Sequence, residues 1–379
     1  MSKRNVGLDM VRILASLMVI GIHVAISPYM SESGTYDYSR TLFQCLMGDA
    51  VAFFWLITGF NLFSNYSYKK RLKSLAVKQV IPMLAFLVFS FLFSNVIFDS
   101  NACFTFEHSS EEYASILDSI KSWNPPPVTG NLPLWYMYVY ILLIVFSPTL
   151  NAVVKWIDSD KKNEMWFALS SVAVLVLNDL TANALMEFSH HTINALACAS
   201  IMVIWGHIIG KHKDIYLERN PTRLMIGGFL MYFGVNFIRS KIQFNDYITG
   251  TGTHSIFWFT SYGLMCSIGL TISICSLLRK VSKDSVMGKI TVFVASLTYP
   301  VYLIHHYMIA LLNNRFDLNN KIKLIAASCK PDTIVEEIVY YFLELLCVFS
   351  VCLIISYLIR LVWRLICFYP KKLINKSKM

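Results

Sequence analysis

The sequence predicts an all-α fold: a polytopic transmembrane helix bundle of about ten spans, with both termini on the cytoplasmic side. Three observations carry this. Of 379 residues, 56% are hydrophobic and only 15% are charged, against about 45–50% and about 25% in soluble domains. Ten apolar runs are long enough to cross a hydrocarbon core of about 30 Å, which takes roughly 20 residues per helix. The basic residues also alternate between these runs. With the N-terminus inside, twenty-four of the 33 Lys and Arg fall in inner segments and eight in outer loops, Arg12 lying within a span. That is the positive-inside pattern. It accounts for the net charge of +10, and no basic stretch interleaved with aromatics suggests a nucleic-acid partner. The chain reads as one integral membrane domain, 1–379, without internal repeats. The nine cysteines show no CxxC and no His/Cys metal-ligand spacing. Cys45, Cys103 and Cys329 sit where an outer-side disulfide can form.

The first predicted span, 8–27, reads LDMVRILASLMVIGIHVAIS. Lys3 and Arg4 before it mimic a secretory signal, but the apolar run is long for one, and an uncleaved helix is expected. An ionisable residue inside a bilayer is costly and marks a candidate site. Arg12 and His23 are eleven residues apart, about three helical turns, so they share one face about 16 Å apart along the axis. Asp9 lies on the same stripe, within reach of Arg12. A cation at one depth and an imidazole at another suit a long anionic ligand. A snorkelling Arg12 and a structural His23 are the plain alternative.

The second span, 43–63, carries Thr58-Gly59, which permits close backbone approach for packing or for a ligand. The run YKKRLKSLAVKQVIP then leads into the third, 79–98. Its Lys69, Lys70, Arg71, Lys73 and Lys78 can hold phosphates or anchor to anionic lipid. The loop 99–131 is acidic, contains three consecutive prolines, and is placed outside. The fourth span, 132–150, opens on Pro133 and carries Trp135, Tyr136, Tyr138 and Tyr140, either an interfacial belt or the lining of a site. Spans 165–182, 192–210, 223–239 and 255–278 follow. In the ninth, 288–312, Ser296, Tyr299, Tyr302 and His305 recur every three residues, with Pro300 expected to kink the helix. His305 and His306 also fit an interfacial position. The tenth, 338–366, contains Glu344, which needs a partner such as Arg or Lys.

Taken together, these segments resemble the acyltransferase-3 family of integral membrane acyltransferases. Arg12 and His23, preceded by Leu8-Asp9, match its first-helix pattern. Phe53-Phe54 with Thr58-Gly59-Phe60 match the second, although serine is usual at Thr58. Lys69 to Pro82 match the basic run, with lysines where relatives often carry arginine. Leu134-Trp135-Tyr136 and Ser296 to His305 complete the series in family order. The likeness extends to the surface-polysaccharide O-acetyltransferases, including those acting on enterobacterial common antigen.

The resemblance implies a multi-pass protein of the bacterial inner membrane. It would move an acyl group, acetyl by default, from acetyl-CoA as co-substrate to a sugar hydroxyl of a surface polysaccharide or its lipid-linked precursor. His23 would be the general base or acyl relay and Arg12 its catalytic partner on the donor. Lys70, Arg71 and Lys73 would bind the coenzyme A thioester, and Trp135, Tyr302 and His305 would line the substrate. No metal is implied. Two other functions fit ten spans with buried polar groups: a transporter of a lipid-linked sugar or proton-coupled solute, and a non-catalytic assembly subunit. Against a transporter, no two halves carry matching Gly/Pro-interrupted spans.

Overall fold

The computed structural model describes residues 4–24, 38–63, 67–86, 135–180, 191–249, 261–329 and 334–376. Those residues are mostly helical, with no strand among them. The predicted loop 99–131 and most of the third span lie outside them.

Helix α1 (Val6–Val24) starts where the Asn5 side chain accepts hydrogen bonds from the backbone N–H of Gly7 (2.9 Å) and Leu8 (3.4 Å), satisfying donors that the first turn leaves orphaned. α2 (Tyr38–Met47) and α3 (Ala50–Leu62) together form one crossing length. α4 (Tyr68–Leu75) runs through a π-helical turn at Ala76–Val80 into residues 81–86. α5 (Trp135–Val145) and α6 (Ser147–Ser159) meet at a 67° bend, so the fourth predicted span is broken rather than continuous. Pro148 in the first turn of α6 fits the break, because proline is tolerated there and not in a helix interior.

α7 (Lys161–Leu180), α8 (His191–Lys211), α9 (Pro221–Thr249) and α10 (Ser261–Leu277) follow. The ninth predicted span is also two helices, α11 (Val286–Ala295) and α12 (Thr298–Phe316), bent by 59°. The break falls at Ser296-Leu297, just before the expected kink residue, and Pro300 lies in the first turn of the new helix. Arg360 donates a hydrogen bond to the Ser296 hydroxyl at this break. α13 (Leu318–Cys329) and the 43-residue α14 (Ile334–Lys376) complete the chain.

Three helical lengths, 6–24, 38–62 and 336–362, are long and apolar enough to cross a bilayer, and the two bent pairs qualify when each is taken as one span. α7 and α9 are not among these lengths, yet both expose large apolar side chains, Trp166 (59%) and Leu230 (69%) among them. Such faces suit acyl chains rather than water.

α1 runs through the middle of the bundle, against α2, α3, α10, α11, α12 and α14. Close approach of α3 and α8 depends on two glycines. A Cβ on Gly59 would lie 1.9 Å from the Val203 carbonyl oxygen, and one on Gly206 would lie 2.0 Å from that of Leu56. Packing is therefore the work of Gly59. Cys45 is a buried free thiol, with Gln243 Oε1 3.5 Å from its sulfur, so the disulfide that its position allows is not formed. Glu344 is buried, but hydrogen bonds with Tyr340 and Asn313 take the place of the expected cation.

Candidate active site

The charged end of α1 is built from its first turns. Asp9, 4% exposed, accepts two hydrogen bonds from Arg4 (2.6 and 3.1 Å) and one from Arg12 Nη1 (3.1 Å). The predicted Asp9–Arg12 pair thus forms, with Arg4 as an unforeseen third member. The hydrogen bond to Asp9 is the main influence on Arg4, holding its pKa above the usual arginine value. The carboxylate fixes the base of Arg12 and leaves its remaining guanidinium donors for another partner.

Arg12 lines a cavity of about 300 Å³ between α1, α3, α4, α5 and α12. Arg71 enters from α4 and donates from Nη2 to the Asn61 carbonyl oxygen at 2.7 Å. Tyr136 and Tyr140 come from α5, and Tyr299 and Tyr302 from α12. The Tyr299 hydroxyl donates to the Gln79 carbonyl oxygen at 2.7 Å, tying α12 to the π-helical turn of α4. A π turn displaces the residues after it around the helix and is common at functional sites. Among the described residues two guanidiniums line this wall and no carboxylate does, so the cavity favours an anion.

The sequence-predicted residues divide on this geometry. Arg12, Arg71 and Tyr302 meet in the cavity. Lys70 and Lys73 are exposed and outside its lining. Trp135 opens α5, and its side chain lies outside the described residues. His23 and His305 are also absent from the lining, behind Tyr302. The Tyr302 and His305 rings are 5.9 Å apart, and the His305 and His23 rings 5.1 Å apart, centre to centre. A short file of rings thus leads from the cavity to His23.

His306 completes the cluster, with its ring centre 4.1 Å from that of His23 and 4.6 Å from that of His305. His305 is fully buried, and its Nδ1 lies 2.6 Å from the Tyr302 carbonyl oxygen. A carbonyl only accepts, so Nδ1 carries the hydrogen and Nε2 the lone pair. His23 Nδ1, His305 Nε2 and His306 Nε2 are buried without a hydrogen-bond partner among the described residues. Each such group costs about 1–3 kcal/mol in an apolar interior, which is tolerated where a site needs it.

Tyr136, Tyr140 and Tyr299 were legible as candidate lining from their aromatic and three-residue spacing. Asn61 and Gln79 carried no such signal. His306 was legible only as the neighbour of His305.

Residues 5–361 match the family model described as "Acyltransferase domain", Acyl_transf_3. No curated protein and no solved structure matches the chain.

Proposed function

The chain belongs to the acyltransferase-3 family, and on that premise we propose that it transfers an acetyl group from acetyl-CoA to a sugar hydroxyl. The acceptor is a cell-surface polysaccharide or its lipid-linked precursor, of the kind found in lipopolysaccharide O-antigen or enterobacterial common antigen. The protein works as a multi-pass enzyme of the bacterial inner membrane with both termini in the cytoplasm. Arg71 and Arg12 hold the anionic donor. The thioester arm lies along the tyrosine-lined cavity toward His23, and the acceptor hydroxyl arrives at the imidazole.

The observation that carries this reading is that one cavity, with no carboxylate among its described lining residues, gathers Arg71 and Arg12, while Arg12 shares one helix with His23. A cavity of about 300 Å³ is at the small end for ligand sites. It suits the acyl-bearing arm of the donor and leaves the nucleotide at the mouth, beside the α4 lysines.

The chemistry needs few groups. A sugar hydroxyl is a weak nucleophile at neutral pH. A neutral imidazole takes its proton as the oxygen attacks the thioester carbonyl. The C–S bond then breaks, the thiolate of coenzyme A leaves, and the imidazolium returns the proton to it. Tyr302 and His305 position the His23 ring for this exchange.

The test is the acetyl-CoA dependence of coenzyme A release in nanodiscs supplied with a glycolipid extract. Arg71→Ala and Arg12→Ala are expected to raise the half-saturating acetyl-CoA about tenfold or more, the equivalent of one charge-assisted hydrogen bond each. Unchanged acetyl-CoA dependence in both variants would remove the donor from this cavity.

A further inference from the structure

We propose that His23, His305 and His306 form a binding site for one divalent first-row transition metal ion, zinc or a metal like it. One ring nitrogen from each of the three lies within 4.8 Å of the other two. Ligands at about 2.05 Å around a tetrahedral metal sit roughly 3.3 Å apart. A bound ion would draw the three rings, which come from only two helices, together through their side-chain torsions.

The donor set is already prepared for a cation. His305 holds its Nδ1 hydrogen against the Tyr302 carbonyl oxygen. That arrangement fixes the tautomer and turns the Nε2 lone pair inward, as the outer hydrogen bond of a metal-bound histidine does. His305 Nε2, His306 Nε2 and His23 Nδ1 are the three buried ring nitrogens without a hydrogen-bond partner among the described residues of this cluster. A metal ion would satisfy all of them at once. Three uncharged nitrogen donors select zinc, cobalt, nickel or copper over magnesium and calcium, which take oxygen ligands. Three protein ligands also leave a fourth position open.

Metal occupancy has a consequence that rests on the reading of His23 as the base. A neutral imidazole has one nitrogen lone pair. Spent on a metal, it cannot accept a proton from the acceptor hydroxyl. The metal-bound protein is therefore the inactive form, and the metal-free protein the active one. Binding itself does not depend on that reading.

The experiment uses the full chain in nanodiscs, stripped with a chelator and titrated with cobalt(II). Cobalt reports nitrogen coordination through its visible absorption. Expected is one cobalt per chain, displaced by zinc. His305→Ala and His306→Ala should each weaken binding about tenfold or more, since even outer-shell changes cost about 10–100-fold. His207→Ala, a histidine outside the cluster, should leave it unchanged. His306→Gln, close in size, guards against misfolding as the cause of loss, with thermal unfolding measured alongside.

No cobalt absorption in the wild type, or absorption that survives both alanine variants, overturns the site. Loss on His207→Ala alone overturns it too, by placing the metal elsewhere. Coenzyme A release is measured on the same samples. Stripped protein that transfers acetyl but binds no cobalt refutes the metal site and spares the acyltransferase reading. Protein that binds cobalt through the cluster but never consumes acetyl-CoA does the reverse.

Discussion

Arg71 is the residue at which the proposed phosphate binding separates from lipid anchoring. Five basic residues crowd residues 69–78, and the run alone does not rank them. The fold does: Arg71 points into the cavity, while Lys70 and Lys73 are exposed outside it. Lys70→Ala and Lys73→Ala are accordingly expected to shift the acetyl-CoA requirement less than about threefold, in the range of exposed charges. Arg71→Lys should recover only part of the loss seen in Arg71→Ala. A lysine keeps the charge but lacks the planar fork that can hold the Asn61 carbonyl and a phosphate together. Kinetics across acetyl-CoA concentration check both. Arg12 and His23 were legible because a helix repeats every 3.6 residues and both lie within one helix. The third and fourth members of that neighbourhood, His305 and His306, lie some 280 residues further along. No local spacing connects them to His23, so the cluster emerged only with the fold.

At the scale of the element, the glycine at position 59 decides how closely α3 approaches α8. A methyl group there would meet the backbone carbonyl of Val203 at 1.9 Å, which no side-chain rotation relieves. Gly59→Ala should destabilise the protein by about 1–3 kcal/mol, the usual cost of overpacking, and spread α3 away from the cavity it lines. Gly234 in α9 has nothing within 4 Å of an added Cβ. Gly234→Ala should be neutral or stabilising by up to about 1 kcal/mol, because alanine suits a helix interior better. Thermal unfolding in nanodiscs separates the two. Helix identity was readable for α1, α3, α8 and α10 from apolar runs. The break at Phe146 was not, because apolar composition continues across it, whereas the bend at Ser296-Leu297 was expected as a kink at Pro300. Proline gave a signal two residues past the first break and three past the second.

For the whole molecule, one polar clamp fastens α6, α7 and α8 together. Lys211 bonds Asp158 and Glu164 at 2.9 Å each, His212 bonds Glu164 at 2.6 Å, and His207 bonds Asp158 at 3.0 Å. Burial pushes the Glu164 carboxyl upward, but hydrogen bonds from Lys211 and His212 outweigh it and hold the group below its ordinary range. A carboxylate lowered on folding adds stability above its unfolded pKa of about 4.3. That stability is lost as pH falls through the lower folded value. Glu164→Gln should therefore lower the unfolding temperature at pH 7 slightly, by an amount worth no more than about 1 kcal/mol. The difference from wild type should vanish at the acid end of the titration.

The bundle as a whole gives α1 its role, because a helix surrounded by six others can carry charged and titratable groups that lipid would reject. The most direct test of that role is coenzyme A release from acetyl-CoA by wild type and by His23→Ala, with acetyl-CoA binding measured on the same folded samples. The proposed mechanism predicts that His23→Ala binds acetyl-CoA as tightly as wild type and releases coenzyme A at least about 10²-fold more slowly, the usual contribution of a general base. Release at the wild-type rate by His23→Ala would show that this histidine is structural and that the proton leaves the acceptor by another route.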